Sequence, residues 1–185
     1  MVVGPGPANM VLLSVGARYG FKNSLPFLLG VIFSKQLIIW PIGLGLINLA
    51  QSAPSIIFIF KLLSILYIGW LSWKIAFAEI KPAAIQDKRE IGLFSGFLIH
   101  PLNPKAWIMV TVSFSSFSAA SGNMLQQAAL VATSFFIIQC FCHPMWLIGG
   151  SWISKIISGR PIEKIFMKVL AVLTFGSTVV LVFSN

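Results

Sequence analysis

Long hydrophobic stretches recur along the whole chain, separated by short polar or glycine- and proline-bearing connectors. A helix needs about 20 apolar residues to cross the hydrocarbon core of a bilayer. The stretches that approach this are Val2–Val15 (short), Leu25–Leu49, Ser55–Ala78, Ile91–Ala119, Leu125–Gly149 and Phe166–Phe183. The connectors Arg18–Asn23, Asn48–Pro54, Glu79–Glu90, Ser121–Asn123 and Ser154–Lys164 read as turns or loops. The pattern predicts an all-α integral membrane protein of about six transmembrane helices, the first of them short. Glu79–Glu90 is the longest polar segment and divides a single domain, 1–185, into a first half 1–78 and a second half 91–185 around the loop 79–90.

Two of the stretches are interrupted. Gly4-Pro5-Gly6-Pro7-Ala8-Asn9 breaks the first, and His100-Pro101-Leu102-Asn103-Pro104-Lys105 breaks the fourth. Proline removes a backbone donor and frees a carbonyl on the preceding turn. Lipid tolerates open backbone only where protein or a water-filled cavity surrounds it. Broken helices at Pro5, Pro7, Pro101 and Pro104, in corresponding places of two halves, point to a transporter's binding site. Three helices per half is an odd number, so the halves enter the membrane from opposite faces. This predicts two inverted three-helix repeats.

Composition agrees with a lipid solvent. The chain is 57% hydrophobic and 9% charged, with a mean hydropathy of +0.93, against about 25% charged residues in soluble domains. Its 13 Lys+Arg against 4 Asp+Glu give +9. In a soluble protein that excess would suggest nucleic acid, but here it sorts by loop and no nucleic-acid partner is expected. Arg18 and Lys22, then Lys74, Lys81, Lys88 and Arg89, then Lys155, Arg160, Lys164 and Lys168 fall on the odd connectors, and the even ones carry none. Basic short loops stay cytoplasmic, so the odd loops face the cytoplasm and both termini face outward. No charged n-region or uninterrupted h-region marks a cleavable signal.

An ionisable residue inside a membrane is a functional candidate by default. Lys35 lies ten residues after Leu25, about 15 Å into the bilayer and near its midplane. Lys61 lies roughly 10 Å in from the outer face. His100 and Lys105 flank the second break, and no Asp or Glu falls inside a span. Lysines without a buried acid suit an anionic group, such as an amino acid's carboxylate, and disfavour a cationic side chain. Helices restarting at Pro7 and Pro104 would add unpaired N–H groups and favourable dipole ends. The candidate substrate-binding set is therefore Pro7, Asn9, Lys35, Lys61, His100, Asn103 and Lys105.

Each candidate also has a plainer reading. Lys61 could snorkel to the headgroups, Lys35 could pair with freed carbonyls, and His100 could cap open backbone. Asn9 and Asn103 are better suited to bracing the breaks than to touching substrate. Gln139 and His143 share a helix face at i, i+4 and could relay protons, although the expected helix end at Gly149 makes His143 an interfacial histidine near the cytoplasm. Gly30 and Ser34 form a small-residue pair for close helix contact, and Trp70, Trp73, Trp146 and Trp152 read as interface anchors. Cys140 and Cys142 read as two buried thiols, since they point to nearly opposite sides of a helix and offer no four-ligand zinc set. No metal or other cofactor is expected.

The strings Gly4-Pro5-Gly6-Pro7-Ala8-Asn9 and Gly16-Ala17-Arg18-Tyr19-Gly20-Phe21 resemble the signature of the LysE/RhtB amino-acid exporter family. The resemblance continues through Leu28-Leu29-Gly30, Lys61-Leu62-Leu63, Tyr67 to Lys74, Phe94 to Phe97, and Leu102-Asn103-Pro104-Lys105-Ala106-Trp107, in order over most of the chain. It implies a multi-pass protein of the bacterial inner membrane that exports amino acids or close derivatives. With no buried acid, the expected substrates are small and neutral, of the threonine, homoserine, cysteine, O-acetylserine or leucine type. A homo-oligomer stays open.

Three positions depart from the family pattern. Only Met1 to Gly4 precede Pro5 where relatives carry a hydrophobic half-helix, so the alternative is a truncated, non-transporting remnant or a membrane subunit. Ala8 stands where relatives often carry a polar or acidic residue, and Lys35 is atypical. No phosphate loop is present, which disfavours ATP as the energy source and leaves proton exchange, with His100 as the titrating candidate. No His-Glu-x-x-His, Gly-x-Ser-x-Gly or buried carboxylate pair supports an enzyme.

Overall fold

In the structure, a computed structural model that describes residues 2–45, 54–77, 92–117 and 123–183, all regular structure is helical. The helices are α1 (Pro7–Asn23), α2 (Leu25–Ser34), α3 (Gln36–Gly43), α4 (Pro54–Ala76), α5 (Leu93–Phe97), α6 (Pro104–Phe117), α7 (Met124–Ile157) and α8 (Ile162–Phe183). Among the described residues, two apolar runs have the length and hydropathy of a membrane span, Leu25–Gly43 (α2 and α3 together) and Met124–Ile157. The expected loops 48–54 and 79–90 lie outside the described residues except Pro54, and of 121–123 only Asn123 is described.

Several boundaries differ from the sequence pattern. Residues 2–6 are not helical, because Pro7 opens α1 from an extended Gly6. The helix then runs through the expected loop Arg18–Asn23, interrupted at Gly20, whose φ of 73° suits a residue without Cβ. Ser24 closes the turn by donating its hydroxyl to Gly20 O at 2.6 Å. The expected second span is interrupted at Lys35, where the N–H groups of Ile38 and Ile39 both reach Lys35 O at 3.0 and 3.1 Å. At the far end, α7 runs 34 residues to Ile157, past Gly149, Gly150 and part of the expected fifth loop. Its start is fixed by a capping box between Asn123 and Gln126.

The outer surface is apolar. Leu29, Phe33 and Leu37 line one outward face at i, i+4, as do Leu62, Leu66, Trp70 and Trp73 on α4 and Phe141, Met145, Trp152 and Ile156 on α7. Phe141 is 71% exposed, whereas Lys35 is 1% and Gln139 0% exposed. Polar groups inside and aromatics outside invert the soluble pattern and match a lipid solvent. Cys140 is exposed on this surface and Cys142 half-buried, so the expectation of two buried thiols is corrected. The cause is position, since Cys140 lies one residue before Phe141 on the outward face.

Glycines set the closest helix contacts. A Cβ at Gly16 would collide with Leu147 O, and one at Gly150 with Leu13 O, so α1 and α7 cross backbone to backbone. Gly30 and Gly96 do the same for α2 and α5, with Leu93 O and Phe27 O as the opposing carbonyls. Such small-residue crossings are the usual way for helices to approach without a hydrophobic drive. The core separates into two apolar clusters. One holds Val11, Phe27, Val31, Ile99 and Leu147, and the other holds Ile38, Ile42, Met109, Val110 and Phe135. Lys35 falls between Val31 and Ile38 in the chain, and Gln139 and His143 fall between Phe135 and Leu147. A polar layer is thus enclosed between two hydrophobic ones.

Candidate functional site

The two proline breaks meet in this polar layer. Pro7 and Pro104 each occupy the first turn of a helix, α1 and α6, where a missing N–H costs nothing. The backbone leading into α1 is tied down by side chains, because it has no helical partners of its own. Asn9 Nδ2 donates to Val2 O and to Gly4 O, both at 2.8 Å. Trp146 Nε1 donates to Val3 O at 3.1 Å. Lys105 Nζ, from the second break, donates to Pro5 O at 2.9 Å. Gly6 permits that approach, since a Cβ there would lie 3.0 Å from Lys105 Nζ.

The second break is braced in the same manner. Asn103 Oδ1 accepts the Lys105 backbone N–H at 3.1 Å and caps α6. Trp107 Nε1 donates to Pro101 O at 2.8 Å. The start of α1 has no side-chain cap. Pro7 carries no N–H, so the unsatisfied donors of that first turn are those of Ala8 and Asn9.

Around the junction lies a cavity lined by Pro7, Asn9, Lys35, His100, Asn103, Lys105 and His143 among others. Its volume is about 30 Å³, room for roughly two waters. Lys35 Nζ sits 4.6 Å from the centre of the Phe135 ring, a cation–π contact. Two lysines and two histidines line the cavity, and among the described residues no carboxylate does. Glu163, the one acidic residue described, accepts from Gly159 N–H at the start of α8.

Behind the cavity runs a chain of polar contacts. With Asn9 Nδ2 committed to two carbonyls, its Oδ1 accepts from His143 Nδ1 at 3.1 Å. His143 Nε2 lies 3.1 Å from Gln139 Oε1. A neutral His143 protonated at Nδ1 offers Nε2 as an acceptor, which matches Gln139 with its amide turned to present Nε2–H. That turn gives Gln139 Nε2–H its partner in His143, while both ring nitrogens of His100 lack one among the described residues. The His100 and His143 rings lie 5.6 Å apart, centre to centre.

Of the residues expected from sequence, Pro7, Asn9, Lys35, His100, Asn103 and Lys105 line the one cavity, Pro5 O accepts from Lys105, and Pro101 O accepts from Trp107. Lys61 is in α4, but its side chain lies outside the described residues. His143 is corrected. It is not an interfacial histidine but 1% exposed at the centre of the polar layer. The hydrophobic stretch was expected to end at Gly149, whereas α7 continues and places His143 near mid-helix. Trp146 is likewise tied to the first break and is more than an interface anchor. Phe135 and the clamping role of Trp107 had no signal in the sequence, because neither polarity nor spacing distinguishes them from other aromatics.

Comparison with known proteins finds relatives that share most of the chain. A cysteine/O-acetylserine efflux protein of Salmonella typhimurium strain LT2 is 28% identical over 148 residues, 79% of this chain and 74% of the relative. One of the same description from Escherichia coli strain UTI89 is 27% identical over 147 residues, with the same coverage. No solved structure matches. The LysE type translocator family matches residues 1–185, and the chain belongs to that family.

Proposed function

We propose that this protein is a secondary transporter that exports small neutral amino acids or close derivatives, of the cysteine and O-acetylserine type, from the bacterial cytoplasm across the inner membrane. The observation that carries it is the meeting of two proline breaks around a cavity that holds Lys35 and Lys105 and no acid among the described residues. The two ammonium groups and the Ala8 and Asn9 N–H groups bind the substrate carboxylate. The family membership and the efflux activity printed for its relatives favour the same reading.

The helices group as six spans, with α2 joined to α3 and α5 to α6. Extensive packing of α1 on α7, of α2 on α5, and of α4 on α8 is the set that a pseudo-two-fold exchange of halves would produce. Odd loops face the cytoplasm by the distribution of Lys and Arg. At about 30 Å³ the cavity is too small for an amino acid, so transport requires the two apolar clusters to open alternately around it.

Two tests address the site directly. In proteoliposomes, Lys105→Gln and Lys35→Met each raise the KM for the zwitterion by about tenfold, the weight of one hydrogen bond to a charged group. An unchanged KM in both assigns the lysines a structural role only. For coupling, His100→Gln abolishes stimulation of efflux by an inward proton gradient while downhill counterflow persists. Unaltered gradient stimulation removes His100 from the proton path.

A further inference from the structure

Hydrogen-bond donors outnumber acceptors in the lining of the central cavity. Lys35 is 1% exposed, and its ammonium rests on the Phe135 ring, a π-face with no lone pair to offer. Among the described residues no oxygen accepts from it. Lys105 Nζ directs one of its three N–H groups to Pro5 O. His100 is buried, and both of its ring nitrogens lack a partner among the described residues. A neutral imidazole carries one N–H in either tautomer, so His100 holds a donor without an acceptor there. The first turn of α1 adds the N–H groups of Ala8 and Asn9, and no side chain caps it. The start of α6 differs, since its Lys105 and Ala106 N–H groups are bonded to Asn103. The side-chain oxygens of the lining are engaged, Asn9 Oδ1 by His143 and Asn103 Oδ1 by Lys105 N–H.

Charge adds to this excess. Lys35 and Lys105 line the cavity, and among the described residues no carboxylate does. Ammonium groups without a counter-charge are costly inside a membrane. Water would accept the hydrogen bonds but brings no charge. Size then selects the counter-ion. About 30 Å³ is room for roughly two waters, enough for one halide ion, which is little larger than a water molecule, and too little for an organic anion. A halide accepts from several directions at once. That suits donors arriving from the start of α1, from the α2–α3 break at Lys35, and from His100 and Lys105 on either side of the second proline break.

We propose that the central cavity binds one chloride ion between Lys35, Lys105, His100 and the start of α1, as a placeholder that the substrate carboxylate displaces. The ion site rests on the cavity itself, and its displacement rests on the exporter reading. The placeholder lets the emptied site close without leaving two bare ammonium groups in the membrane.

The test is the melting temperature of the purified wild-type chain in detergent as sodium chloride replaces sodium isethionate, whose anion exceeds the cavity, at constant ionic strength. Chloride raises it saturably, by about 4 °C at about ten times the midpoint concentration, and bromide does the same. Lys35→Met and Lys105→Gln each remove the rise, while Lys155→Gln, at the exposed end of α7, keeps it. In proteoliposomes, chloride at that concentration on the substrate side raises the KM for O-acetylserine about tenfold by mass action, with the maximal rate within about twofold. A rise that is linear in chloride, or that persists in Lys35→Met, is a bulk salt effect and overturns the site. No rise in a wild type that transports gives the cavity to water, overturns the site and leaves the exporter standing. A saturable, lysine-dependent rise with KM unchanged overturns the displacement. The same rise in a chain that transports nothing upholds the ion site and removes the exporter reading.

Discussion

Gly150→Ala is expected to destabilise the protein by about 3 kcal/mol or more, the upper range for overpacking a filled interface. The new Cβ meets Leu13 O, with Leu13 C at 2.8 Å and Ala17 N at 2.9 Å. All three are backbone atoms of a helix, so none can move aside without displacing α1. Gly16 presses on Leu147 from the other side of the crossing, which removes the route by which the helices could slide apart. In detergent the variant melts on the order of 10 °C below wild type. Gly149→Ala is the control on the same helix, since its Cβ meets only Leu13 Cδ1 at 3.6 Å. That variant melts at or slightly above the wild-type temperature, because alanine favours helix by up to about 1 kcal/mol. Equal melting temperatures for the two variants contradict the close crossing.

Asn9→Ala has the largest expected effect on activity. It strands the carbonyls of Val2 and Gly4 and the Nδ1–H of His143, three groups on a cavity with room for only about two waters. Each unsatisfied group costs about 1–3 kcal/mol. The segment before Pro7 loses its anchor, and the mouth of the cavity loses its shape. Efflux falls by about a hundredfold or more, from that cost. Asn9→Asp fails as well, because a carboxylate cannot donate to the two carbonyls. Asn103→Ala removes a helix cap and costs only about 1 kcal/mol. A mild Asn9→Ala phenotype, matching that of Asn103→Ala, contradicts the anchoring role.

Much of this site was readable from residue types because the physics is local. Proline opens a helix wherever it stands, so Pro7 and Pro104 marked the two starts that the structure brings together. Depth is also local: ten residues from Leu25 placed Lys35 at mid-membrane, and it does line the cavity. What failed depended on packing between helices. The expected stretch stopped at Gly149, but Gly150 lies inside α7 and admits α1, and the misplaced end moved His143 from the interior to the interface. Arg18–Asn23 looked like a loop because it is polar, yet only Gly20 leaves helical geometry. Cys140 was misplaced because an apolar helix in lipid has no polar face to show which side is outward. The hydrogen bond between Trp146 and Val3 spans 143 residues, a distance over which no local pattern carries information.

The most direct measurement is efflux of labelled O-acetylserine from proteoliposomes that contain the purified wild-type chain, beside protein-free liposomes and with labelled lysine as a cationic comparison. Saturable O-acetylserine efflux that depends on the protein, with lysine no faster than the leak, is the expected result. O-acetylserine efflux at the rate of empty liposomes, or lysine carried as well as O-acetylserine, contradicts a carboxylate-binding exporter of small neutral substrates.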